Sequence, residues 1–347
     1  MQPYLDALNL LARWAHVALA ITWLGAAAYF AWRDRQAPND DDARFGEQAV
    51  MWQAYGAWLS GFALLALVYY ANAGLYLVDP AVMPMPKWMA IAAGLAVLVV
   101  VLAAYEGLCR APLGEAALAI ALVLLLAATA WGLTHLFSAR GAFIHYGALL
   151  GTIMAGNVAH VTIPAHRRRE QALREGREPN AKDAWRARQR LVHNVEFLPA
   201  VVFAMLSTHY PALLGSRSAW LILVLATVAG MLFRRGRRLA WAGVACVLAI
   251  VVLATPATER ATATAGLEEV RTIIERHCAP CHAPAPGFRG ISEAPKGVLL
   301  DTPERMRVQA GAIRQQAVLT RAMPPGNVTG MHERERELLE RWSRSAR

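Results

Sequence analysis

The chain has 347 residues, of which 56% are hydrophobic and only 17% charged. Soluble domains carry about 25% charged residues, so the composition excludes a disordered chain, a collagen-like fibre and a soluble enzyme along the whole length. It points to a membrane. The formal charge of +10 would suggest nucleic acid only if the basic residues gathered on a soluble face; they fall instead in short loops between apolar segments.

A bilayer core of about 30 Å takes roughly 20 apolar residues per helix. Segments 9–32, 54–77, 87–106, 116–137, 141–163, 191–210, 217–233 and 239–255 are the candidates, about eight spans. The last two are short at their apolar cores and also read as a re-entrant hairpin. The first has small residues at Gly25-Ala26-Ala27-Ala28, but Arg13 alone precedes it and Arg33 and Arg35 follow it, so it reads as a retained span rather than a cleaved signal. Basic residues set the orientation. One set of loops holds Arg33, Arg35 and Arg44, then Arg110, nine more between Arg167 and Arg190, and Arg234, Arg235, Arg237 and Arg238. The other set has only Arg13, Lys87, Arg140 and Arg217. This asymmetry predicts a multi-pass protein of a bacterial cytoplasmic (inner) membrane with both termini in the periplasm. The 167–190 run also carries four acidic residues and reads as a solvated loop, not a nucleic-acid patch.

After Leu253 the composition changes. The predicted organisation is a helix bundle over 1–255, a small, polar linker over 256–265 and a periplasmic domain over 266–347. In that domain Leu267, Val270, Ile273 and Ile274 share one helical face, and Thr302-Pro303-Glu304 reads as a helix N-cap with proline at the first position. Leu338, Leu339 and Trp342 form the stripe of a last amphipathic helix near 332–344.

Cys278-Ala279-Pro280-Cys281-His282 is a C-x-x-C-H motif, the attachment signature of c-type haem. Two thiols three positions apart reach one porphyrin while the adjacent imidazole reaches the iron. Zinc would need two further ligands, and a thioredoxin-like pair would want a βαβ setting. His282 and Met323 are the expected iron ligands; a methionine in the proline-stiffened run Met323-Pro324-Pro325-Gly326 suits the sixth position and raises the potential. Met306 and Met331 are the alternatives, with Met306 on a helix stripe. His277 reads as exposed rather than ligating. Cys109 and Cys246 read as unpaired thiols.

Ionisable groups inside spans are costly and default to functional candidates. With the topology above they form two layers: His16, His135, His145 and His209 toward the periplasm, and Asn157, His160, His193, Asn194 and Glu196 toward the cytoplasm. His135 and His209 lie at span ends, where water contact also explains them, and Glu196 is spaced to pair with His193. Two imidazoles from different helices can hold a b haem, so His16 and His145 are the expected ligands of one, or else the lining of a pocket beneath the c haem. The fold class is therefore all-α: a polytopic membrane helix bundle with a C-terminal class I-like cytochrome c domain.

The residues together resemble the membrane-bound urate hydroxylase family, in which a urate oxidase N-terminal membrane domain is fused to cytochrome c. The resemblance rests on the haem motif, on 294–304 (APKGVLLDTPE) and 323–329 (MPPGNVT), on 14–30 and 58–70, on 145–157 (HYGALLGTIMAGN), on His193-Asn194, and on His209-Tyr210-Pro211. It implies oxidation of urate, or a related purine, to 5-hydroxyisourate, with electrons leaving through haem c to an oxidase or a soluble cytochrome c. It also implies catalytic roles for His145, Asn157, His193 and Asn194. Two departures stand out. Val50-Met51-Trp52-Gln53-Ala54-Tyr55 replaces a His-Trp-Phe-Lys-Trp-Glu-like run, and Val195-Glu196 follows His193-Asn194 where the family has Asn-Tyr. A membrane-anchored electron carrier without a substrate, and a copper-handling membrane protein, are the competing readings; the fused haem motif argues against the second.

Overall fold

The computed structural model describes residues 2–36, 47–216, 218–255, 265–319 and 321–345. The expected linker falls largely outside them. The described residues are all helical or irregular, without strands. In chain order they form α1 (Gln2–Gln36), α2 (Glu47–Leu64), α3 (Ala73–Tyr76), α4 (Lys87–Arg110), α5 (Glu115–Leu136), α6 (Ala139–Gly156), α7 (Ile163–Arg174), α8 (Ala181–Ser207), α9 (Pro211–Leu214), α10 (Ala219–Arg234) and α11 (Arg237–Ala254). The tail follows with α12 (Leu267–His277), α13 (Pro303–Val308), α14 (Ala310–Ile313) and α15 (Glu333–Ser345).

Among the described residues, seven helices are long and apolar enough to cross a membrane; α10, with 16 residues, is apolar but shorter. Many large apolar side chains point outward, among them Trp14, Trp88, Trp241 and Val252, as a lipid-facing surface requires. The inner core is centred on α5, α6, α8 and α10, where Phe137, Phe143, Tyr146, Leu149, Ile153 and Phe197 are fully buried. α1 packs mainly on α2, and α11 on α10.

Two of the long apolar helices widen locally into π-helical turns. α2 continues as a π-helical turn over Leu65–Tyr70, and α6 passes into α7 through another over Asn157–Thr162. Such turns add a residue to the helix and recur at functional positions. The 167–190 region is more helical than expected of a loop: α7 and α8 extend into it, leaving a turn near 175–180. Ala, Arg, Gln and Glu favour helix, and Arg168 with Asp183 at 2.8 Å ties the two ends.

The tail has its own core, in which Val270, Ile274, Met306, Met331, Leu339 and Trp342 are buried. The apolar faces read from the sequence for α12 and α15 are the ones that meet there. Thr302 caps α13, its Oγ1 accepting from the Arg305 amide at 3.3 Å.

Candidate functional site

The C-x-x-C-H segment leaves the end of α12 in a tight turn. The amides of Cys281 and His282 both donate to the Cys278 carbonyl, at 3.1 and 2.9 Å. The backbone of the motif is thereby folded into one turn at the edge of the tail core, with Cys278 buried in it. His282 Nδ1 donates to the Val298 carbonyl at 2.9 Å. A carbonyl only accepts, so the proton sits on Nδ1 and the Nε2 lone pair is left for a metal, the orientation a ligating histidine needs. Burial pushes the Cys278 thiol up to about 12 and raises that of Cys281 as well. A disulfide-exchange pair wants the opposite shift. The donor set fits a c-type haem.

Met323 lies on a loop, half-buried against the same core. Its amide donates to the Gln316 carbonyl at 2.9 Å, and its carbonyl accepts from Arg336 Nη1 at 3.0 Å. Arg336 is buried and also donates to the Ala317 carbonyl and to Asn327 Oδ1. It clamps the loop to the chain in front of α15, a role the sequence does not announce because a lone arginine on an amphipathic helix reads as solvent-facing. Met306 and Met331 are both buried in the core. His277 is a correction: it is buried rather than exposed, its ring bonded to Thr329 Oγ1 at 2.8 Å and Glu335 Oε1 at 3.2 Å.

The Met323 loop sits on the bundle. Gly326, at φ +57°, lies so close to α3 that a Cβ there would collide with the Leu75 carbonyl oxygen and come within 3.3 Å of that of Val78. Ser138, the N-cap of α6, builds this floor: its hydroxyl donates to the Tyr76 carbonyl at 2.7 Å, and its amide to Leu77 at 2.9 Å. Between loop and bundle is a cleft of about 240 Å³, lined among others by Tyr76, Asp79, His135, Arg140, Trp220 and Arg321.

The histidines of the outer layer do not converge. His145 is fully buried; its Nδ1 donates to the Gly141 carbonyl at 2.8 Å, and Nε2 meets the Tyr70 hydroxyl at 3.1 Å. The same Nε2 is 2.5 Å from where a Cβ on Gly94 would be, so α4 closes over it. His16 instead faces the Ala57 carbonyl and Ser60 Oγ, both at 3.1 Å. Ser60 and Tyr70 are separated by about 15 Å along the helix. His16 and His145 therefore do not fit one b haem, and the expectation that they share it is corrected. His135 lies on the cleft and His209 is exposed.

Asn157, His193 and Asn194 do meet. Tyr105 of α4 joins His193 Nδ1 at 2.9 Å and Asn157 Oδ1 at 3.2 Å, while Asn157 Nδ2 donates to Asn194 Oδ1 at 2.8 Å. Asn194 Nδ2 donates to the Met154 carbonyl at 3.0 Å, and Cys109 Sγ is 3.8 Å from His193. Arg190 lies over the Tyr105 ring and pairs with Glu106 at 2.8 Å; its Nε and Nη1 find no hydrogen-bond partner. Glu196 turns to Arg235 at 3.5 Å, not to His193 as its spacing suggested. His160 is exposed. Tyr105 and Arg190 were not singled out by sequence; the only hint was the i, i+4 spacing of Tyr105 and Cys109. By helical rise, Asn157 lies about 27 Å from the docked end of α6, and His145 about 9 Å. Among the described residues no three His, Cys, Asp or Glu converge as a metal cluster.

The model of the family described as urate oxidase N-terminal matches residues 48–255. No curated protein and no solved structure matches.

Proposed function

We propose, from the premise that the chain belongs to the urate oxidase N-terminal family, that it is a membrane-bound urate oxidoreductase whose electrons leave through a haem c in the tail. The balance is urate plus water giving 5-hydroxyisourate, two protons and two electrons. The reading places the bundle in a bacterial cytoplasmic membrane with both termini periplasmic, where c haem is attached, and takes a respiratory oxidase or a soluble cytochrome c as the acceptor.

The observation that carries it is the seating of the Met323 loop on the bundle through Gly326. A mere tether would leave the tail free; this contact brings the loop of the proposed sixth ligand onto the family's membrane domain. Cys278 and Cys281 would hold the group covalently, with His282 and Met323 on the iron. Bound there, haem c takes electrons one at a time. The chain's own part is positional: the Val298 carbonyl fixes the His282 tautomer, Arg336 holds the Met323 loop, and Gly326 sets the loop against α3. The separation of His16 from His145 leaves the one haem c as the cofactor of this proposal.

A carrier without a substrate is favoured by one feature, the closure of the Tyr105–Asn157–His193–Asn194 network on itself. Adding urate to oxidised membranes decides between the two. Reduction of the c-haem α band supports the oxidoreductase. A band that dithionite reduces and urate leaves untouched refutes it. A pyridine haemochrome assay that finds no thioether-linked haem refutes both.

A further inference from the structure

The cleft between tail and bundle has the makings of a site for a planar anion. It measures about 240 Å³, a little below the roughly 300–1,000 Å³ of sites for drug-sized ligands, and so is scaled to a small ring system. Its charged lining is predominantly basic: Arg140 from the bundle and Arg321 from the tail, against Asp79. Asp79 is itself engaged, accepting from the Ala81 amide at 2.9 Å. Arg140 forms no ion pair with a described residue. Its guanidinium rests on the Tyr76 ring at 5.5 Å, and its one hydrogen bond, to the Thr208 carbonyl, is long at 3.5 Å. Its donors are largely unspent, and a guanidinium fork matches adjacent acceptors on a flat anion. Arg321 commits Nη2 to Glu333. Tyr76 and Trp220 give the cleft aromatic surface.

His135 adds a base. Its Nδ1 must carry the proton, because it bonds the Trp131 carbonyl at 2.7 Å, and the tilted, exposed Trp131 ring lies 4.4 Å away on one side of the imidazole. Nε2 is left as the acceptor that removal of a proton from the substrate requires. No other polar group of the bundle named above combines unspent cationic donors, a free imidazole nitrogen and open space. The inner network has the donors of Arg190 but is packed shut.

We infer that the oxidisable purine anion binds in this interface cleft, held by Arg140 and Arg321 from opposite walls with His135 as proton acceptor, directly beside the Met323 loop. The inference rests on urate as the substrate. The test is equilibrium dialysis of urate against the full-length holoprotein reduced with dithionite, which binds without turning over. Arg140→Gln and Arg321→Gln are each expected to weaken binding about ten- to a hundredfold, the loss for a charge-assisted hydrogen bond. Tyr105→Phe in the inner network should stay within about threefold. His135→Gln should keep the affinity and slow α-band reduction at saturating urate. Should Arg140→Gln fail to accumulate, Arg321→Gln on the other wall makes the same test. Arginine variants that bind like the parent, or a Tyr105→Phe that alone abolishes binding, overturn the cleft while urate oxidation stands. A parent protein that neither binds urate nor is reduced by it brings down the substrate reading, and the cleft with it.

Discussion

Replacing Gly326 by alanine tests the docking of the tail, because two separable effects meet at that residue. At φ +57° any L side chain carries the left-handed penalty, roughly 1–2 kcal/mol. That part acts within the tail. The second part acts only between tail and bundle, since the new Cβ would meet the Leu75 carbonyl oxygen, a backbone atom on a helix that cannot swing aside. Gly330 supplies the control. It has φ +69°, lies four residues away and has nothing within 4 Å of its Cβ position. Both alanine variants should lower the tail's melting temperature by on the order of 5–10 °C, the shift for 1–2 kcal/mol in a domain this small. Only Gly326→Ala should also raise hydrogen exchange at the amides of 75–78 and increase cleavage in the linker. If the two variants match in exchange and proteolysis, the contact with α3 does not hold the tail, and the reasoning from it fails.

Met323→Ala should keep the thioether-linked haem and lower its reduction potential, since thioether ligation raises it; an unchanged potentiometric titration would remove Met323 as a ligand. Burial opposes the charge on Glu335, but the His332 amide and the His277 ring together hold its carboxyl below the usual range. A depressed carboxyl stabilises the fold above its unfolded value, about 4.3, and loses that contribution as pH falls through the folded value. Acid unfolding of the tail should therefore flatten below about pH 4.5 in Glu335→Gln; a parental pH profile would count against the pairing. Tyr105→Phe leaves Asn157 and His193 short of a buried partner and should destabilise the bundle by about 1–3 kcal/mol, read from thermal aggregation in detergent. Val195→Asn, which restores a residue type of the resembled family, should leave the rate of α-band reduction by urate within about threefold; a larger gain would place the substrate in the inner network.

Helical class, the apolar segments and the faces of α12 and α15 were legible in sequence because each follows from a local period: long apolar runs for the spans, 3.6-residue stripes for the tail. The C-x-x-C-H motif was legible for a similar reason, all its chemistry lying within five adjacent positions. What escaped depends on which helices meet. Nothing in the spacing of His16 and His145 tells that one faces Ser60 and the other Tyr70, and Glu196 looked as close to His193 as to any partner until α10 and α11 brought Arg235 across. His277 looked exposed because its neighbours in sequence are charged, whereas Thr329 and Glu335, far along the chain, bury it. The π-helical turns are equally silent, since an added residue leaves hydropathy unchanged.

The two departures from the resembled family acquire a different weight once placed. Val50–Tyr55 opens α2, and Val195-Glu196 lies about 18 Å along α8 from Thr208, which touches Arg140. Both are at the end of the bundle opposite the docked loop. Val195-Glu196 adjoins the Tyr105 network through Asn194, and neither departure alters Arg140, His135, Tyr76 or Trp220. A substrate held deep in that network would have to deliver electrons across about 27 Å of bundle to reach the docked face, with His16 and His145 unable to share a relay haem between them. A substrate in the cleft would lie beside the Met323 loop, next to the proposed iron ligand. On this geometry the departures bear on how the far end of the bundle packs, and the cleft proposed for urate keeps its lining.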